Sequence, residues 1–87
     1  MKLSENFIVH SMDGETLLVP TADADFRGIV RCNNTVEVIL RALENGADGE
    51  EELVDALKER FDGEEADMRE DVRLTLGKLR EVGALIE

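Results

Sequence analysis

The sequence is poor in the residues that usually build chemical sites. Among its 87 residues there is no Trp and no Tyr, and only three Phe, one His, one Cys and one Pro. A zinc site needs about four N or S donors, and His10 with Cys32 supplies two. A lone cysteine forms no internal disulfide, which suits a reducing compartment. No apolar run approaches the ~20 residues of a membrane span, and the opening residues MKLSENFIVHS lack the apolar stretch of a secretion signal. The expectation is a cytoplasmic location, with no membrane partner, no metal and no cofactor.

Positive charge is scarce too. Lys and Arg number 10 against 21 Asp and Glu, giving a net charge of −11. Residues 1–46 hold 7 acidic and 4 basic groups (net −3), and residues 47–87 hold 14 and 6 (net −8). Gripping a phosphate backbone depends on Lys and Arg displacing counterions. A surface this acidic repels that backbone instead, so no nucleic-acid partner is expected.

What is present is an aliphatic core in a short chain, with 43% hydrophobic and 36% charged residues. Ordering each residue costs roughly 1–2 kcal/mol, so a chain of this length must use one core fully. That predicts a single domain over residues 1–87 and leaves no room for a deep enclosed cleft.

The hydrophobic period changes once, near residue 33. Two alternating stretches, 6–12 and 15–20, flank Asp13-Gly14, a pair that favours the positive φ angles of a tight hairpin. Pro20 ends the second strand because it cannot donate to a ladder. A third strand is predicted over 26–32, with Phe26, Gly28, Val30 and Cys32 on one face and Arg27, Ile29 and Arg31 on the other.

Helices follow. Val36, Ile39, Leu40 and Leu43 recur at helical spacing, which predicts a helix over 34–44. Asn34 with Glu37 resembles its capping box, and Asn45-Gly46 its stop. A second helix over 49–60, capped by Asp48, buries Leu53, Val54, Leu57 and Phe61. A third over 65–82 buries Met68, Val72, Leu76, Leu79 and Val82, ends at Gly83, and lets Ala84-Leu85-Ile86 pack back. Sheet and helices must cover one another. The predicted fold class is α+β and winged-helix-like, a three-stranded antiparallel sheet followed by a three-helix bundle. Its strand order departs from the commonest winged helix, where the hairpin follows the recognition helix.

No catalytic constellation emerges. Glu50-Glu51-Glu52 and Glu64-Glu65 fall at helix N-termini, where they favour the macrodipole and stay solvated. No EF-hand spacing and no phosphate-cradling glycine loop is present. His10 reads as a surface strand residue and Cys32 as a small core residue. No catalytic residue is expected, and the chain is not read as an enzyme.

Two features exceed this plain reading. Leu74 lies about a third of a turn outside the buried arc of the third helix, at 100° per residue, beside Asp67, Asp71 and Lys78. In a meander ordered 1-2-3 the third strand has a free side, which proteins normally blunt. Arg27 and Arg31 are candidates for that blunting. Alternatively, the edge is open to an extended peptide that adds as a further strand. Leu74 then lines a groove whose other wall is the strand, with Arg27, Arg31 and Lys78 as basic spots.

The run Cys32-Asn33-Asn34-Thr35-Val36, then Ile39-Leu40, Leu43 and Asn45-Gly46, resembles a known pattern, as do Asp71-Val72, Leu76, Leu79, Gly83 and Leu85. The pattern is that of the PqqD family, the pyrroloquinoline quinone biosynthesis protein D group, also called RiPP recognition elements. The resemblance spans roughly residues 6–87. The chain departs from it at Cys32, Leu40 and Asn45, where Leu, Trp and Asp are usual.

The resemblance implies a chaperone that binds the leader segment of a ribosomally made precursor peptide. It would present that peptide to a modifying enzyme, often a radical S-adenosylmethionine protein. It also implies that the leader adds to the third strand and rests on the third helix. Carried over by position, the contacts are Gly28, Ile29, Val30, Arg31 and Cys32 with Met68, Asp71, Val72, Leu74 and Thr75, and the groove reading adds Lys78.

Two alternatives stay open. One is a winged-helix DNA-binding regulator, which the acidic balance of the third helix opposes. The other is a structural homodimer paired through the same edge strand.

Overall fold

Asp13 and Gly14 both take positive φ, 52° and 80°, the signature of a two-residue turn of the primed kind that suits right-twisted strands. The computed structural model describes residues 1–87. Its elements in chain order are β1 (Lys2–Leu3), β2 (Phe7–Met12), β3 (Glu15–Pro20), β4 (Val30–Cys32), α1 (Asn34–Glu44), α2 (Glu50–Arg60), α3 (Glu65–Glu81) and β5 (Leu85–Ile86). The α+β architecture is the predicted one.

The turn dictates the ladder. It makes Met12↔Glu15 the first hydrogen-bonded pair of β2 and β3, and the register runs unbroken to Phe7↔Pro20. Hydrogen-bonded and non-hydrogen-bonded pairs alternate in an antiparallel ladder. Glu15, Leu17 and Val19 therefore spend their backbone groups on β2, while Thr16, Leu18 and Pro20 turn theirs toward β4. The β4 register is Thr16↔Cys32, Leu17↔Arg31 and Leu18↔Val30.

That arithmetic explains a correction. The third strand spans Val30–Cys32, not 26–32. The next hydrogen-bonded pair would join Pro20 to Gly28, and Pro20 has no N–H to donate. Pairing stops there, and Phe26–Ile29 runs as unpaired chain. The predicted alternation of faces still holds: Phe26, Gly28, Val30 and Cys32 are half-buried, while Arg27, Ile29 and Arg31 are exposed.

The helices lie within a residue of their predicted bounds, but two caps differ. Asn33, not Asn34, caps α1, its side-chain oxygen accepting from the Val36 N–H at 2.8 Å. Glu37 instead accepts a hydrogen bond from the Ser11 hydroxyl at 2.8 Å and ties the hairpin to α1. Gly49, not Asp48, precedes α2 and offers no side-chain cap. Glu50, Glu51 and Glu52 in the first turn complement the positive helix end there. At the end of α3, the Gly83 N–H donates to the Arg80 carbonyl at 3.2 Å and the Ala84 N–H to the Leu79 carbonyl at 2.8 Å. With Gly83 at φ 76°, this is a Schellman termination.

The tail then packs back as β5, pairing with β1 through Lys2↔Ile86 and Leu3↔Leu85. This small second sheet was not anticipated, since two-residue strands carry no readable period.

One core joins all parts. Leu18 of the sheet meets Ile39, Leu40 and Leu43 of α1, Leu53, Val54 and Leu57 of α2, and Val72 and Leu76 of α3. All of these are 2% exposed or less. Each such side chain contributes about 1.5–3 kcal/mol of transfer free energy. No helix is long and apolar enough to cross a membrane.

Candidate functional site

The order β2-β3-β4 leaves β4 at the rim of its sheet with β3 as its only strand neighbour. Val30 and Cys32 direct their backbone groups at β3, so the alternation turns the N–H and C=O of Arg31 outward. No loop or turn backbone bond reaches Ile29 or Arg31 either, whereas the Asn33 carbonyl is already spent on the Glu37 N–H at 3.0 Å. The open edge is thus short and centred on Arg31. Its guanidinium lies 3.8 Å from Glu15, and both side chains are well exposed, so this pair adds little stability.

Beside this edge runs a groove with about 320 Å³ of space. One wall is Val30, Arg31 and Cys32. The other is Asp71, Leu74, Thr75, Lys78 and Leu79 of α3. The floor comes from Leu18 and from the start of α1, through Asn33, Thr35, Val36 and Leu40. The lining is largely aliphatic, with Asp71 and Lys78 as its charged α3 residues. Leu74 is 61% exposed and Ile29 64%. Exposed aliphatic side chains beside unpaired backbone are what an added strand requires.

Among the residues expected at a peptide site, the groove brings together Val30, Arg31, Cys32, Asp71, Leu74, Thr75 and Lys78. Four do not line it. Met68 is buried at 7% and Val72 at 0%, so they hold α3 from beneath. Gly28 and Ile29 precede β4, and Ile29 lies on the exposed face. The α1 contribution went unread. Val36 and Leu40 fit a plain core stripe, and only the fact that Asn33 and Thr35 directly follow the edge strand hints that α1 starts under the groove.

Burial raises the Cys32 thiol above its ordinary pKa, against a smaller lowering from the Leu18 backbone N–H, and nearby Glu37 raises it further. The thiol therefore stays protonated at neutral pH, the opposite of an activated nucleophile. No group of three His, Cys, Asp or Glu side chains is placed to hold a metal ion.

The family model described as coenzyme PQQ synthesis protein D (PqqD) matches residues 12–85. The chain belongs to the PqqD family. The match runs from the hairpin to β5 and so includes every groove residue. No curated protein matches the sequence.

Two solved structures share the PqqD-like fold. TbiB1, in complex with the TbiA(beta) leader peptide, is 24% identical with a TM-score of 0.74, over 94% of this chain and 93% of that one. Lasso peptide synthetase B1, complexed with the leader peptide, is 19% identical with a TM-score of 0.76, over 99% and 96%. At these identities the likeness concerns the arrangement of strands and helices.

Proposed function

We propose that this PqqD-family chain is a non-catalytic module that captures the leader segment of a ribosomally made precursor peptide. The leader adds as a strand along β4, rests against α3, and is held there for a modifying enzyme, of the radical S-adenosylmethionine type or another. The observation that carries this reading is the outward-facing backbone of Arg31 beside the aliphatic groove. Membership of the PqqD family and the leader-bound state of both structural neighbours support it. Val30, Arg31, Cys32, Asp71, Leu74, Thr75 and Lys78 are the proposed contacts, and residues 1–87 are proposed to act as one domain.

The backbone bonds would supply affinity without regard to sequence, and the side chains in the groove would supply selection. The acidic remainder of the molecule favours a basic or amphipathic leader, with affinity falling as salt rises. A DNA-reading role is disfavoured. Within α3, Arg69, Arg73 and Arg80 each lie beside carboxylates, of Glu51 and Glu65, Glu50, and Glu87 respectively, which offsets the positive charge a phosphate backbone would need.

The test is a titration of isotope-labelled protein with leader segments of short precursor peptides encoded beside it. Amide shifts are expected at Ile29–Asn33 and along the 71–78 face of α3. Binding that leaves both regions unmoved would contradict the reading.

A further inference from the structure

Asp71, Leu74, Thr75 and Lys78 recur at i, i+3, i+4 and i+7, one face of α3. All four line the groove, with the two charges at the ends and Leu74 and Thr75 between. Seven residues of helix separate the charges by about 10 Å along the axis. The arginines of α3 are engaged elsewhere: Arg69 with Glu51 and Glu65, Arg73 with Glu50, Arg80 with Glu87. Neither Asp71 nor Lys78 takes part in any ion pair. The α3 wall of the groove thus carries one unpaired anion and one unpaired cation a fixed number of residues apart, opposite a β4 wall whose Arg31 is turned to Glu15, over a largely aliphatic floor.

We propose that Asp71 and Lys78 read the order of charges along the bound peptide and thereby set its direction and register. The proposal rests on strand addition at β4. A strand laid in the groove displaces the water that solvates both groups. A charge covered without a partner is costly, so the penalty falls on peptides whose charges run the wrong way.

Strand residues rise about 3.4 Å each and alternate faces, so positions i, i+2 and i+4 face the groove together over about 14 Å. Long side chains close the remaining few ångströms to Asp71 and Lys78. The ligand class is an extended peptide in which an apolar residue at i+2 sits over the aliphatic floor. A basic residue at one flanking position faces Asp71, and an acidic residue at the other faces Lys78.

The test selects displayed random peptides of about twelve residues on the intact protein and on the D71K/K78D variant, keeping those that protect Cys32 from alkylation. Wild type is expected to enrich one order of charges around the apolar position, and D71K/K78D the reverse order. Representative peptides would show a roughly tenfold preference that flips between the two proteins. The milder variants D71N and K78Q are each expected to weaken the discrimination, each losing the preference at its own flanking position and keeping it at the other. Peptides that protect Cys32 but show no charge order, or the same order with both proteins, overturn this inference and leave strand addition standing. If no peptide protects Cys32, both fall.

Discussion

The Phe26 ring fills the space that a side chain at position 28 would need: a Cβ on Gly28 would lie 2.7 Å from the Phe26 Cζ. Phe26 packs half-buried against the core, so the contact fastens the chain just before the open edge. Gly28→Ala is expected to push the ring out and destabilise the protein by about 1–3 kcal/mol, the usual cost of overpacking. The F26A/G28A double variant should cost less than the sum of the singles, because the two residues share one contact. Urea unfolding of the four proteins checks this.

Leu74 and Leu76 are two residues apart on α3 and differ in role. Leu76 is fully buried and Leu74 largely exposed. Leu76→Ala is expected to cost about 2–5 kcal/mol of stability. Leu74→Ala should stay within about 0.5 kcal/mol. Leu74→Asp should leave the urea midpoint nearly unchanged and weaken a groove-selected peptide by roughly tenfold or more, about 1.4 kcal/mol. Parallel denaturation and binding curves separate the two effects.

Much of the fold could be read from sequence because its signals are local. Asp13-Gly14 demands positive φ, Leu43 and Leu57 complete helical stripes, and Gly83 ends a helix that cannot continue. The length of β4 was not readable, since it depends on which side of β3 Pro20 turns toward the edge and on which residue stands opposite. The hairpin turn makes that parity readable, but the β3–β4 register that sets Gly28 opposite Pro20 is announced by no residue in 26–32. The groove was half legible. Leu74 stood out because an apolar residue among Asp67, Asp71 and Lys78 breaks the pattern. Met68 and Val72 enter the expected contacts only by position from the family resemblance, although the helical stripe already predicts both as buried, as they are.

Cys32 is the only cysteine and lines the groove. Its raised pKa and half-buried position predict alkylation at pH 8 slower than that of a free thiol. Saturation with a leader segment found by amide titration, not by Cys32 protection, should slow it further, and urea should abolish the protection. Mass-spectrometric rates in the three conditions measure this. Equal rates with and without peptide would place the peptide elsewhere.

Ion pairs between α2 and α3 and at the tail predict an acid-side loss of stability. The Arg69 guanidinium lowers the Glu51 carboxyl, Lys58 and Arg69 lower Glu65, and Arg80 lowers Glu87. Carboxyls lowered in the folded state stabilise it fully above the unfolded value of about 4.3. That contribution is lost as pH falls through the lower folded values. The urea midpoint should hold from pH 7 to 5 and then decline toward pH 3. In Arg69→Gln the decline should be shallower, and the pH 7 midpoint slightly lower.

The central claim is that the β4 backbone is free until a peptide zips onto it, and the Arg31 amide reports on it most directly. By the pairing register, this N–H points away from β3, while those of Val30 and Cys32 point toward it. Hydrogen exchange followed by NMR should find Arg31 exchanging fast in the free protein between two protected neighbours. Saturation with a groove-selected peptide should slow its exchange by at least about tenfold. An Arg31 amide already protected in the free chain, or one still fast when the peptide is bound, would contradict the account.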